Sequence, residues 1–318
     1  MPQDVTLCIT PRERFSCAVA SLEDIIRNTS AGYALVYIDA NSPASIAREL
    51  KQLCAEHGFT YVRHEHYLAP NQARNMALDH CTTRYAVFAD NDLFVTQGWL
   101  EGLLDCARST GAWAVSPVIL EGGATPQVIH MAGGELSEHR ADGYNAVHQS
   151  HRYMLHALRT VRSELVREAV GMFEFHCVLL DRQAFAETRF LDEAFLSHHE
   201  HLDLAREIRL AGGQVFFEPT SVVRYDNASP FQPCDREFFE LRWCLEWTES
   251  SLEHARRKWH LAPGDAGLER AARWTEKHRR LFESTQKSWS VRVLPIVIRR
   301  AVRRWMQNIK SKPASARP

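Results

Sequence analysis

Short, unbroken apolar runs punctuate the first 120 residues of the chain. They occur at Val5 to Thr10, Tyr33 to Ile38, Phe59 to Arg63, Tyr85 to Ala89 and Ala112 to Ser116. Runs of this length, flanked by Pro, Gly or acidic turns, predict strands buried on both faces. Between them the apolar residues fall at helical spacing. Ala18, Leu22, Ile25 and Ile26 share one face, and Ile46, Leu50, Leu53 and Cys54 share another that ends at Gly58. Ala73, Met76 and Ala77 continue the series, followed by Trp99, Leu100, Leu103, Leu104 and Ala107. Strand and helix in succession predict an α/β fold with a mostly parallel sheet, right-handed crossovers and flanking helices.

From Glu121 to about His151 the pattern weakens, and Gly122-Gly123 and Gly133-Gly134 predict hairpins or a loop. A second ordered block runs from Phe173 to Tyr225. It contains a strand over His176 to Leu180, a helix over Asp203 to Ala211 closed by Gly212-Gly213, and a strand over Gln214 to Phe217. Past Cys234 the chain turns helical, and six of its eight tryptophans follow residue 240. The shift predicts a first unit over 1–233 and a helical, basic extension over 234–318. Phe238, Phe239, Trp243 and Trp247 suit either core packing or a wall for stacking sugars.

Composition narrows the class. With 45% hydrophobic and 24% charged residues in 318, the chain suits one sizeable globular body. A formal charge of −1 offers no case for nucleic acid. Eight cysteines without a C-x-x-C pair point to reduced thiols and a cytoplasmic setting. Asp4 and Glu13 break any leader-like apolar segment, and no run approaches the ~18 apolar residues of a membrane span. After Glu283 only basic charges remain, beside apolar Val291 to Ile298. Residues 288–305 therefore suit either an interfacial helix on the inner face of a membrane or a docking helix with solvated charges.

Four polar clusters fall at or near the carboxyl ends of predicted strands, where open α/β sheets bind ligands. They are Thr10-Pro11-Arg12-Glu13-Arg14, Asp39-Ala40-Asn41-Ser42, Asn71-Gln72-Ala73-Arg74-Asn75 and Asp90-Asn91-Asp92. Asp90 and Asp92 cannot both stay ionised so close without a counter-charge, which a hard divalent cation supplies. Plain structural readings exist too: an Asx turn at Asp39, an N-cap at Asn71, a surface charge at Arg74.

Taken in order, these clusters resemble those of glycosyltransferase family 2, the GT-A-type enzymes that use nucleotide sugars. The resemblance extends through Cys177 to Phe185, Phe190-Leu191-Asp192-Glu193-Ala194-Phe195 and Glu200-His201-Leu202-Asp203-Leu204, and covers about residues 4–226. It implies a GT-A, Rossmann-like fold with a nucleotide half near 1–117 and an acceptor half near 170–226. It also implies inverting transfer of a hexose-type unit from a nucleoside diphosphate, usually uridine-type, to a glycan or glycoconjugate acceptor. Thr10, Pro11, Arg12, Glu13, Asp39 and Asn41 would then hold base and ribose, with Arg74 and Asn91 positioning the nucleotide. Asp90 would contact the nucleotide's ribose or the metal, Asp92 would ligate Mn²⁺ or Mg²⁺, and Asp226 or Tyr225 is the further metal contact the family suggests.

One departure from the family stands at His201, where an aspartate is usual. An inverting displacement needs a base for the acceptor hydroxyl, and Glu200, His201 and Asp203 are the candidates. The run His198-His199-Glu200-His201 lacks the H-E-x-x-H spacing of a zinc helix and reads as a polar loop, as does His64-Glu65-His66. A sugar nucleotidyltransferase would need a Gly-rich phosphate loop, which Thr10 to Arg14 lacks. A non-catalytic nucleotide-sugar-binding or scaffold protein is the other rival reading, raised by His201.

Overall fold

β1 (Val5–Thr10) and β4 (Tyr85–Asp90) are buried along their whole lengths and lie side by side, parallel, in the middle of a ten-stranded sheet. The computed structural model describes residues 4–280 apart from 31, 126, 184, 185 and 187–190. Segment 288–305 and the family-like residues Ala184, Phe185 and Phe190 lie outside the described residues.

On one side of β1 the sheet continues in parallel through β2 (Tyr33–Ala40) and β3 (Thr60–His64). Helices α1 (Ala18–Asn28), α2 (Ala44–Glu56) and α3 (Pro70–Asp79) make the crossovers, each burying the apolar face anticipated from its spacing. Pro70 opens α3, where a missing N–H costs nothing. After β4 come a short β5 (Leu93–Val95), α4 (Trp99–Thr110) and β6 (Ala114–Glu121); α4 stops at Gly111, whose φ of 70° suits glycine.

The second half departs from a purely parallel order. β11 (Cys177–Asp181) inserts antiparallel between β4 and β6. β12 (Val215–Tyr225) then pairs parallel with β6 and runs well past the predicted end at Phe217, with a register shift between Glu218 and Val222 that accommodates Pro219. β7 (Val128–Met131) and β10 (Glu168–Val170) add antiparallel edges, and β8 (Gly134–Ala141) with β9 (Tyr144–His151) forms a separate hairpin where the glycines predicted one. Short α5 (Leu158–Val161) precedes β10, and α6 (Glu200–Leu210) begins at Glu200, three residues ahead of the predicted start. The whole is the GT-A-like, mostly parallel sheet flanked by helices.

Helices α7 (Arg236–Arg242), α8 (Leu245–Lys258) and α9 (Ala266–His278) pack against the open end of the sheet. Phe238, Phe239, Trp243 and Trp259 are buried there. Asp235 ties this segment to the first strand's exit, accepting from Ser16 N at 2.9 Å and Ser16 Oγ at 2.7 Å. No helix among the described residues is long and apolar enough to cross a membrane. All eight cysteines are unpaired thiols.

Candidate active site

The chain turns one way from β1 to reach β2 and the other way to reach β4, so the carboxyl ends of β1 and β4 flank a topological switch point. Their register places Thr10 opposite Asp90. The two turns that follow are locked together: Asn91 N donates to Thr10 O at 3.1 Å, and Arg12 N donates to Asn91 Oδ1 at 2.9 Å. Arg12 is thereby aimed at its neighbours, with Nη1 3.4 Å from Asp90 Oδ2 and Nε 3.3 Å from Glu13 Oε2. Glu13 also accepts from Trp243 Nε1 at 3.2 Å.

Asp92 stands one residue beyond, buried, and its Oδ1 has no hydrogen-bond partner. Burial and then the Asp90 charge push its carboxyl well above the usual range, against the pull of Arg12. A buried, unpartnered carboxylate oxygen beside a second carboxylate is the donor set a hard divalent cation fits. His176 Nδ1 lies 2.9 Å from Asp90 Oδ2. Burial, then Arg12, pulls the His176 imidazole down to about 4, so it is neutral at pH 7.

A cavity of about 740 Å³ opens over these turns. Arg12, Glu13 and Asp92 line one side; Glu121, His130, His151, Glu174, His176 and Tyr225 form a second wall. The start of α6 supplies Glu200 and His201, and the C-terminal helices close it with Arg242, Trp243, Trp259, Trp274 and His278. Thr10, Pro11, Asp90 and Asn91 stand directly behind the lining residues at the strand ends.

His199 caps α6 in the left-handed region, with φ of 66°. Such backbone is costly for a residue with a side chain and clusters where geometry serves a site. The kink brings Glu200 and His201 round to the cavity. Glu200 Oε1 is 2.9 Å from Arg242 Nη2 and 3.8 Å from Arg74 Nη1. Burial raises its carboxyl, but Arg242 and Arg74 outweigh that and hold it well below the usual range. His201 Nε2 is buried without a hydrogen-bond partner, 3.4 Å from Glu174 Oε1. Burial pulls the His201 imidazole down, opposed by Glu174 and Glu200.

Besides Thr10, Pro11, Asp90 and Asn91, five further predicted residues fall outside the cavity lining: Arg74, Asp39, Asn41, Asp203 and Asp226. Arg74 lies behind it, fully buried, with its guanidinium 3.8 Å from the Phe175 ring centroid and Nη1 donating to Asn71 Oδ1 at 3.1 Å. Asp39 is saturated in the Asx turn at the end of β2: it accepts from Ser42 N at 2.9 Å, Tyr61 OH at 2.5 Å and Arg63 Nη1 at 2.6 Å. Asn41 in that turn has φ of 63°. Asp203 faces α8, accepting from Lys258 Nζ at 2.7 Å and Trp259 Nε1 at 3.0 Å. Asp226 is likewise engaged, capping Ser229 and Ala228, while Tyr225 stacks on His176 at 4.0 Å.

Sequence reasoning missed Glu121, His130, His151, Glu174, His176 and Arg242. The one local signal was a histidine alternating with Ile129 and Met131 on β7, which places its ring opposite the two buried side chains.

Comparison with known proteins bears on this arrangement. The family model described as glycosyl transferase family 2 matches residues 9–188. Two pre-mycofactocin glycosyltransferases of Mycobacterium tuberculosis (strains CDC 1551 and H37Rv) are each 28% identical over 166 residues, covering 52% of this chain and 32% of theirs. The chain thus spans about a third of the length of these curated relatives. Among solved structures, GalNAc-T7 with UDP, GalNAc and Mn²⁺ superposes with a TM-score of 0.55 at 17% identity, over 88% of this chain and 55% of that one. The mannosyltransferase PcManGT of Pyrobaculum calidifontis, in complex with GDP-Man and Mn²⁺, gives 0.54 at 14% identity, over 98% and 82%. At these identities the likeness speaks for the fold.

Proposed function

The chain belongs to glycosyltransferase family 2, and we propose that it moves a sugar from a nucleoside diphosphate to an acceptor hydroxyl with inversion. The observation that carries this reading is the pairing of Asp92 with His201 on different walls of one cavity. Asp92, with its unpartnered oxygen, and Asp90 behind it would hold Mn²⁺ or Mg²⁺. A cation bound there supplies Lewis-acid neutralisation of the charge that grows on the leaving diphosphate.

The protein's own residues do the rest. Arg12, pinned by Asn91 and aimed along the strand ends, adds positive charge beside the carboxylates. Arg74 acts as a positioning residue, bridging the Asp90 turn to the start of α6 from behind. His201 takes the acceptor proton: its Nε2 is unpartnered, and burial favours the neutral ring that a base requires. Glu200 serves instead to hold Arg242 and Arg74, being committed to both. The aromatic wall of Trp243, Trp259 and Trp274 suits an acceptor sugar's apolar faces.

Residues 1–233 are read as the transferase unit, with the helices after it completing the cavity through Trp243 and Arg242. A uridine-type donor, a glycan or glycoconjugate acceptor, and a cytoplasmic setting with membrane contact through 288–305 belong to the same proposal. UDP and GDP-Man in the two structural neighbours support a nucleoside diphosphate donor. The test is a thermal-shift screen of nucleoside diphosphates and their sugars with Mn²⁺, followed by an assay for diphosphate release. A raised melting temperature and release with one donor are expected. Binding without release under any acceptor would mark a binding protein and overturn the transferase reading.

A further inference from the structure

The transfer chemistry leaves one cluster unused. His130 from β7, His151 from the end of β9 and Glu174 from the segment before β11 converge on the second wall, and one ligand atom from each lies within 4.8 Å of the others. Asp90 and Asp92 are not members of this set. We propose that His130, His151 and Glu174 form a second cation site, of zinc type, separate from the strand-end carboxylates.

Four observations support it. First, the spacing is close to what such an ion requires. Two ligands about 2.0–2.1 Å from a tetrahedral ion stand roughly 3.3 Å apart. His151 Nε2 is 3.1 Å from Glu174 Oε1, and only His130 must close in. Second, His130 is already oriented. Its Nδ1 lies 3.2 Å from Glu121 Oε2, which in turn accepts from Tyr225 OH at 3.1 Å. A carboxylate on one ring nitrogen fixes the ring's orientation and leaves the other nitrogen to ligate.

Third, the donor set matches the ion class. Two imidazoles and one carboxylate with an open fourth position is a zinc arrangement found in hydrolytic sites. Here all three residues line the cavity, where His201 Nε2 stands 3.4 Å from Glu174 Oε1. Fourth, the two sites differ in softness. The strand-end site is led by two carboxylates, with one imidazole, His176, beside Asp90, and suits a hard cation, whereas the imidazole-rich wall favours zinc and its neighbours. Two metals of different class are therefore sorted by donor chemistry. The inference does not rest on the transfer reaction proposed above.

The test uses the full chain, dialysed against a chelator and titrated with Zn²⁺ alone by calorimetry, with Co²⁺ absorbance as a second readout. One tight equivalent is expected in the unaltered protein and in Asp92→Asn. Affinity should fall at least tenfold in His151→Ala and in Glu174→Gln, each checked for folding by its thermal melt. Absence of stoichiometric uptake overturns the proposal. So does uptake that survives both wall variants, or that disappears in Asp92→Asn, since the ion would then belong to other histidines or to the strand-end site.

Discussion

Asp92 and Glu200 face one cavity from different walls, yet their charges are handled in contrary ways. Glu200 is enclosed by Arg242 and Arg74, so its ionised form is held far into the acidic range. Asp92 is equally buried but keeps an oxygen with no partner, and its carboxyl is pushed up. Glu200 therefore completes the protein's own scaffold, whereas Asp92 keeps an unmatched oxygen in reserve for something that arrives. Burial alone does not separate the two; the state of their partners does.

The sharpest way to break this contrast is Asp92→Asn. Metal-dependent diphosphate release should fall about a thousandfold, the scale expected when charge stabilisation at a leaving group is lost. The same variant should melt no lower than the parent in metal-free buffer, because the carboxyl it replaces is buried with an oxygen that has no partner. A lower melting temperature would show that Asp92 is paired after all.

Arg242→Met attacks the other wall. It strips Glu200 of its nearer cation, and truncating one partner of a buried pair costs about 3 kcal/mol, readable as a shifted urea midpoint. Next in size, His201→Ala should lower kcat about a hundredfold with little change in donor KM, the range for a lost general base. Equal losses in kcat and donor binding would move His201 from catalysis to nucleotide recognition.

The smallest effect belongs to the loop that leads into α6. Burial raises the Asp192 carboxyl, but hydrogen bonds from Lys258 and His254 bring it down to about 2. A folded value below the unfolded one of about 3.9 stabilises the native state above pH ~4, and that contribution is lost as pH falls toward 2. Since Asp192 is only partly buried, screening keeps the contribution under about 1 kcal/mol. Thermal melts of Asp192→Asn should run parallel to the parent below pH 3 and diverge above pH 4.

The central strands were legible because both their faces are buried, so β1 and β4 appear as unbroken apolar runs that end in charge. The strand-end position of Asp90 and Asp92 followed at once. Direction was not legible: an apolar run such as Cys177 to Asp181 looks the same whether it runs parallel or antiparallel. Pro219 hid the second half of β12, and His199 hid the start of α6, since it caps that helix through a strained backbone and not through a Ser, Thr, Asp or Asn side chain. The saturation of Asp39 comes from Tyr61 and Arg63 on the neighbouring strand. The wall of His130, His151 and Glu174 is drawn from three separate elements, and no spacing rule reaches across them.

The antiparallel strand between β4 and β6 also fixes an order of assembly. While the chain is being synthesised, β1 to β3 and their helices find their neighbours by the time β4 is made. β4 and β6 do not, because the place between them belongs to a strand made much later. The sheet therefore carries an open gap, with an apolar strand exposed on either side, until residues 177–181 arrive. Pairings this distant in sequence close slowly, and exposed edges invite association meanwhile. A fragment ending near residue 170 should thus aggregate where one extended past β11 and β12 stays monomeric, and any chimera of the two halves must carry β11 with the half it joins.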